Sequence, residues 1–265
     1  MTQVSRSSNS PTVISAVGVV DQSQVQAART SARRRDGFQT ECWRHSEVME
    51  WPVLASLPLE ERRGLVAGLR RRFYLRDEVI FHQGDPADTL HLMAAGRVSV
   101  RVTLRGGEFV VVAILGPGDA FGEIALVGGP STRGATIIAL ERCETLSLGR
   151  DEFHRLRTSY PGVDRFLVEL LSTRVERLNN YLLEALYVPA ERRVLRRLLD
   201  LCELYTGDDQ SIVIPVTQEM LASLAGTTRP TANQVLRRLV ASHIVAVSRS
   251  QIVVLDRQSL QQRAG

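Results

Sequence analysis

Residues 216–239, VTQEMLASLAGTTRPTANQVLRRL, constrain this chain more than any other stretch. Met220, Leu221, Leu224 and Ala225 recur at the spacing of one helical face, and Ala232, Val235, Leu236 and Leu239 form a second apolar stripe. Between the stripes stands Gly226, where the chain must turn sharply. Thr227 or Thr228 can cap the second helix, and Pro230 is tolerated in its first turn because no intrahelical donor is lost there. Arg229, Asn233, Gln234, Arg237 and Arg238 are left on the outer face. Guanidinium forks and side-chain amides can hydrogen-bond base edges and phosphates in a major groove. An ordinary helical hairpin with a solvated arginine face would show the same pattern, and the residues C-terminal to it weigh between the two. Residues 244–247 and 251–255 are short β-branched runs joined by Ser248, Arg249 and Ser250, a hairpin signal. A β wing behind the second helix would carry Arg249 at its tip, within reach of a phosphate. The segment predicts a winged helix-turn-helix.

The rest of the 265 residues leaves room for a second domain. A hydrophobic content of 44% supports ordinary globular cores. No apolar run approaches the roughly 18 residues that would suggest a membrane span. The faintly apolar stretch 13–20 is broken by Ser15 and Gly18 and lacks a strong basic lead, so it does not read as a signal peptide. Cys42, Cys143 and Cys202 are far apart and odd in number, which suits a reducing cytoplasm and argues against a disulfide framework. Cys42 and His45 have a metal-like separation, but two ligands do not make a site, and no metal is expected. The net charge of +4, carried by arginine without any lysine, permits nucleic-acid binding without demanding it.

Along the chain, residues 1–45 are rich in Ser, Thr, Gln, Ala and Arg and suggest a mobile extension with a helical piece near 22–34. A folded domain is expected over 46–160. It opens with a helix over 53–72 and continues as short alternating runs at 78–81, 89–93, 97–102, 109–115, 136–139 and 145–148, with Gly84, Gly96, Gly116, Gly118 and Gly122 at the junctions. Such spacing indicates an antiparallel barrel or roll. A long helix is expected next over 163–187, within a segment 161–188. Its Leu171, Val175, Leu178, Leu182 and Ala185 step by four and three, a coiled-coil seam suited to self-association or to packing on its own domain. Pro189 ends it. The DNA-binding unit is expected over 189–258, with 259–265 as a tail. No nucleophile–base pairing or cofactor loop comes after the long helix, so no enzyme activity is expected.

Gly84-Asp85-Pro86-Ala87-Asp88-Thr89-Leu90, then Gly96, then Phe121-Gly122-Glu123-Ile124-Ala125-Leu126, with Arg133 ten residues after Glu123, resembles the cyclic-nucleotide-binding domain. With the C-terminal helix-turn-helix, residues 48–258 resemble the cyclic AMP receptor protein / fumarate-nitrate regulator (CRP/FNR) family. That resemblance implies an α+β fold: an N-terminal antiparallel β-roll, a long dimerisation helix and a C-terminal winged helix-turn-helix. It also implies a homodimer on double-stranded DNA with a near-palindromic operator, contact with RNA polymerase, and cyclic AMP as the effector. Gly122, Glu123, Ile124, Ala125, Arg133, Gly134 and Ala135 would form the ligand cassette, with Leu178 and Asn179 facing the base. Backbone N–H groups of a short helix near Gly122 suit a cyclic phosphate, Arg133 would add forked donors, and Glu123 would accept from the ribose 2′-hydroxyl. Outside such a cassette, Glu and Arg ten residues apart would be a plain salt bridge.

Two departures keep the effector open. Gly134 stands where a hydroxyl residue is frequent in bacterial members, and Leu178 cannot hydrogen-bond an adenine amino group, although Asn179 can. Cyclic GMP, cyclic di-GMP and DNA binding without any nucleotide stay as alternatives. An iron–sulfur sensor would need a cysteine cluster, and His91, in an expected strand, reads as a packed or surface residue rather than a haem ligand. On the DNA side the resemblance puts Arg229, Pro230 and Gln234 at base-facing positions and Thr217 and Thr231 near phosphates. Thr228, Asn233, Arg237 and Arg249 complete the expected surface.

Overall fold

Period-2 alternation in the β-branched runs lets each strand serve two cores at once. In the computed structural model, which describes residues 57–126, 132–205 and 211–265, these runs form two four-stranded antiparallel sheets. One has the order β1 (Arg70–Tyr74), β8 (Cys143–Gly149), β3 (Thr89–Ala95), β6 (Ala120–Phe121). The other has the order β2 (Val79–Phe81), β7 (Thr136–Ala139), β4 (Val98–Thr103), β5 (Phe109–Leu115). Along β3, Leu90, Leu92 and Ala94 pack with Leu146 and Leu148 against helices. Met93 belongs instead to the cluster of Val98, Val100, Leu115, Phe121 and Ile137. The helices covering the roll are α1 (Leu59–Ala67), α2 (Arg150–Ser159) and the start of α3 (Gly162–Tyr187), which contribute Leu65, Phe153, Val163 and Phe166. Burial of each such large apolar side chain is worth about 1.5–3 kcal/mol.

The helix expected over 53–72 is shorter within the described residues and gives way to a strand. Glu60 and Glu61 suit the first turn of α1 electrostatically. The helix ends at Ala67, and Arg70–Tyr74 then pair with Cys143–Ser147. Ladder bonds and the Arg71–Glu144 ion pair at 3.0 Å override the local helical pattern. The glycines of α1 and α3 set helix approach. A Cβ on Gly64 would fall 2.4 Å from the Tyr160 ring, and the Gly162 amide donates to Glu61 Oε2 at 2.8 Å.

Helix α3 keeps to the roll as far as Arg177, which pairs with Asp119, and exposes an apolar face from Val175 onward. It stops before Pro189, and α4 (Ala190–Leu204) begins a second unit with α5 (Gln218–Leu224) and α6 (Arg229–Ala241). Three short strands, β9 (Ile212–Ile214), β10 (Val245–Val247) and β11 (Ile252–Val254), pair in the order β10-β11-β9. The hairpin of β10 and β11 is the expected wing; the third strand, a β-branched run Ile212–Ile214, was not expected. The end of the chain is not a loose tail. Residues Arg257–Ala264 form α7, capped by Asp256 Oδ1 on the Ser259 amide at 2.9 Å, with Leu260 and Ala264 buried in the core that α4 shares with α5 and α6. The expected extension over 1–45, its helical piece and the Cys42–His45 pair lie outside the described residues. Among the described residues, no helix is long and apolar enough to cross a membrane.

Candidate effector cavity and DNA-reading surface

The GDPADTL motif and the segment that leads into β7 hold each other at Arg133. The Gly84 amide donates to the Arg133 carbonyl at 2.8 Å, and the Arg133 amide donates to the Asp85 carbonyl at 2.8 Å. Asp85 Oδ2 accepts from the His82 amide at 2.7 Å, which fixes the loop that presents Asp88 and Thr89. The Arg133 side chain, only 5% exposed, donates from Nη1 to the Thr89 carbonyl and from Nη2 to Thr89 Oγ1, each at 2.7 Å. Nη2 also meets Asp88 Oδ1 at 3.3 Å, and the guanidinium carbon lies 4.0 Å from the centre of the Phe81 ring. Burial lowers the pKa of this guanidinium most strongly, opposed by Asp88 and Asp85. Its Nε is buried and has no hydrogen-bond partner.

Gly122 adjoins this guanidinium. Its φ of +82° turns β6 into a 3₁₀ turn, Glu123–Leu126, and a Cβ there would lie 2.7 Å from the Thr89 carbonyl oxygen and 2.8 Å from Arg133 Nη1. Conformation and space both require glycine. Between this corner and α3 lies a cavity of about 230 Å³. Its roll side is Gly118, Asp119, Ala120 and Glu123; its helix side is Glu169, Leu170, Thr173, Arg174 and Arg177. Carboxylates and guanidiniums therefore face one another across a space suited to a small anionic ligand with hydroxyls.

The structure brings together only some of the expected ligand residues. Glu123 lines the cavity, and Gly122 and Arg133 stand behind the same corner. Ile124 is 53% exposed, and Ala125 lies in the 3₁₀ turn. Gly134 is exposed with open space around it, whereas Ala135 packs on the intersheet core. Leu178 and Asn179 are exposed farther along α3 and do not line the cavity. Asp119, Thr173, Arg174 and Arg177 were missed. Arg174 and Arg177 lie four residues beyond Leu170 and Thr173, a helical spacing that could have shown a common face. Nothing local announces Asp119.

His91 lies beneath the same corner. Its ring stacks on Phe121 at 5.1 Å, Nδ1 is 3.1 Å from Thr145 Oγ1, and Nε2 is 3.3 Å from Thr89 Oγ1. Burial, reinforced by Arg133 and Arg72 and opposed by Asp88, pulls its pKa from 6.5 down to about 4. The folded state thus holds a neutral ring that the unfolded chain protonates more readily. The resulting stability is present above about pH 6.5 and is lost as the pH falls towards 4, an expected loss of about 3 kcal/mol. His91→Gln should flatten that part of the pH–stability curve in chemical denaturation; equal slopes for both proteins would refute the assignment.

The helix-turn-helix is built by local rules. Thr217 Oγ1 caps α5 through the Met220 amide at 3.1 Å, and Thr228 rather than Thr227 caps α6 through the Thr231 amide at 3.4 Å. Gly226 has φ +56° in the turn. Arg229, Pro230, Gln234, Arg237 and Arg249 are exposed, with Arg249 in the turn between the wing strands. Thr217, Thr231 and Asn233 are half-buried; Asn233 Oδ1 is itself buried without a partner. Arg238 is engaged by Glu191 at 3.0 Å. The reading helix is tied to α3 by one residue that had no sequence signal. Arg193 donates to the Ala225 and Gly226 carbonyls at 2.9 and 2.8 Å and to the Val188 carbonyl at 2.8 Å, so it bridges the end of α3 and the helix-turn-helix turn.

A roll with a cavity against a long helix, followed by a winged helix-turn-helix, defines a class of effector-linked DNA-binding regulators. Residues 71–160 match the cyclic nucleotide-binding domain family, and residues 192–263 match the Crp-like helix-turn-helix domain. The cyclic AMP receptor protein of Thermus thermophilus is 32% identical over 213 residues, covering 80% of this chain and 96% of that protein. A CRP-like cAMP-activated global transcriptional regulator of Mycobacterium tuberculosis is 28% identical over 193 residues, covering 71% and 85%. Among solved structures, the c-di-GMP responsive global regulator CLP of Xanthomonas campestris superposes with a TM-score of 0.63 at 25% identity, covering 74% of this chain and 99% of that one. The chain belongs to the CRP/FNR family of transcription regulators. It carries a cyclic nucleotide-binding domain and a helix-turn-helix DNA-binding domain.

Proposed function

We propose that this protein is a cytoplasmic, homodimeric regulator whose affinity for a near-palindromic operator is set by cyclic AMP in the roll. The observation that carries this reading is the cavity itself: Glu123 of the FGEIAL segment faces Arg174 and Arg177, with Arg133 Nη1 directly behind Gly122. The phosphate would draw on the Gly122–Glu123 backbone and on arginine donors, and Glu123 would hold the ribose hydroxyl. Two copies would pair along the exposed face of α3, setting recognition helices in major grooves about 34 Å apart. RNA polymerase would then be the next partner. The effector acts by binding the DNA-competent arrangement more tightly than the other, and a coupling of about 1–3 kcal/mol corresponds to a rise in operator affinity of about 5- to 150-fold.

Two tests belong to this reading. Calorimetric titration of the full chain with cyclic AMP, cyclic GMP and cyclic di-GMP should give saturable heat with cyclic AMP; silence with all three would defeat the effector assignment. Arg229→Ala should cost about 1–3 kcal/mol at the operator selected by the wild type and relax preference at one base pair of each half-site. A uniform loss across all duplexes would instead make Arg229 a phosphate contact.

A second reading, DNA binding without a nucleotide, draws on a specific observation: Thr89 and Asp88 already accept from both terminal nitrogens of Arg133. Gel shifts with and without cyclic AMP separate the two.

A further inference from the structure

The roll and the winged-helix unit touch at a place that also borders the cavity. Asp119 lines the cavity and divides its carboxylate between two partners. Oδ1 meets Arg177 Nη1 of α3 at 3.1 Å, and Oδ2 accepts from the Gly116 amide at 3.0 Å. The same turn is closed by the Asp119 amide on the Gly116 carbonyl at 3.0 Å. Gly116 in turn carries the end of α4, since a Cβ there would fall 2.6 Å from Leu204 Cδ1. Leu204 is also held by Arg97, which donates from Nε and Nη2 to its carbonyl at 2.9 and 2.5 Å. Arg97 is itself fixed by Glu141 at 2.7 Å and lies 4.0 Å over the Tyr205 ring. Helix α4 shares one core with α5 and α6, so the seat of Leu204 bears on the placement of the reading helix.

We propose that Asp119 and Arg177 are the positioning residues through which occupancy of the cavity reaches the DNA-reading unit. The proposal rests on the cavity being the effector site. An anionic effector competes with Asp119 for Arg177 and repels its carboxylate. The carboxylate can satisfy Arg177 and the Gly116 amide together only when the cavity is empty. Loss of the ion pair frees the Gly116 turn to shift, and the last turn of α4 loses a support on the roll. The Asp119–Arg177 contact thus belongs to one of two arrangements, and differential stability of that kind lets a ligand bias an equilibrium.

Hydrogen exchange of the full-length protein, followed over residues 198–205, tests this directly. Without ligand, Arg177→Gln and Asp119→Ala should each raise exchange in that segment about fivefold, while the core of α2 stays unchanged. Millimolar cyclic AMP should raise the same segment in the wild type and in Arg177→Lys, but add nothing in Arg177→Gln. Ligand-free variants that exchange like the wild type would overturn the relay, as would a full cyclic AMP response in Arg177→Gln. If cyclic AMP alters residues 118–123 in none of the proteins, it is the cyclic AMP reading that fails, and the ligand-free comparison still decides the relay.

Discussion

Arg133→Ala is expected to lower cyclic AMP affinity at least about 100-fold, equivalent to about 2.7 kcal/mol, and to destabilise the roll by a similar amount. The two effects have separate origins. The guanidinium is buried and satisfies the Thr89 carbonyl, the Thr89 hydroxyl and Asp88, so truncation strands the partly buried Thr89 carbonyl and empties a packed space over Phe81. Its Nη1 also stands against Gly122, where the ligand phosphate is proposed to lie. Arg133→Lys keeps the charge but not the fork and should retain more stability than affinity. A melting temperature lowered in Arg133→Ala with unchanged calorimetric affinity would make Arg133 a scaffold residue only.

The second large effect concerns assembly. Val175, Leu178, Leu182 and Leu186 of α3 are 55, 55, 57 and 65% exposed, a row of apolar side chains that a lone chain leaves in water. Each buried on pairing contributes about 1.5–3 kcal/mol before the cost of association. Leu178→Glu combined with Leu182→Glu places like charges opposite one another in a two-fold seam. The variant should sediment as a monomer and lose operator affinity by at least about 100-fold, because one reading helix then binds without its partner. A dimer of unchanged stability would show that α3 is not the interface. The expected seam ran through Leu171 and Ala185, but the exposed surface is broader, since Tyr181, Leu183, Leu186 and Tyr187 also face solvent.

The helix-turn-helix was legible because every device in it is local. Stripes, threonine caps and the left-handed Gly226 lie within a few residues of the groups they act on. The wing and most roll strands were legible for a related reason: alternation and glycine punctuation record which face of each strand is buried.

The sequence alone determined the order of units and the second helix of the helix-turn-helix with its exposed Arg229 and Gln234. Tertiary structure decided the rest. Arg70–Tyr74 became a strand because β8 offered an edge and Glu144 a counter-charge, against a helical local pattern. The chain's last turn became a packed helix because the core beside α4 accepts Leu260. Asp119 found Arg177, Arg97 found Leu204, and Arg193 joined the end of α3 to the Gly226 turn across separations that no periodicity encodes. Contacts between residues distant in sequence depend on how finished elements dock, and docking is a property of surfaces that exist only after the chain has folded.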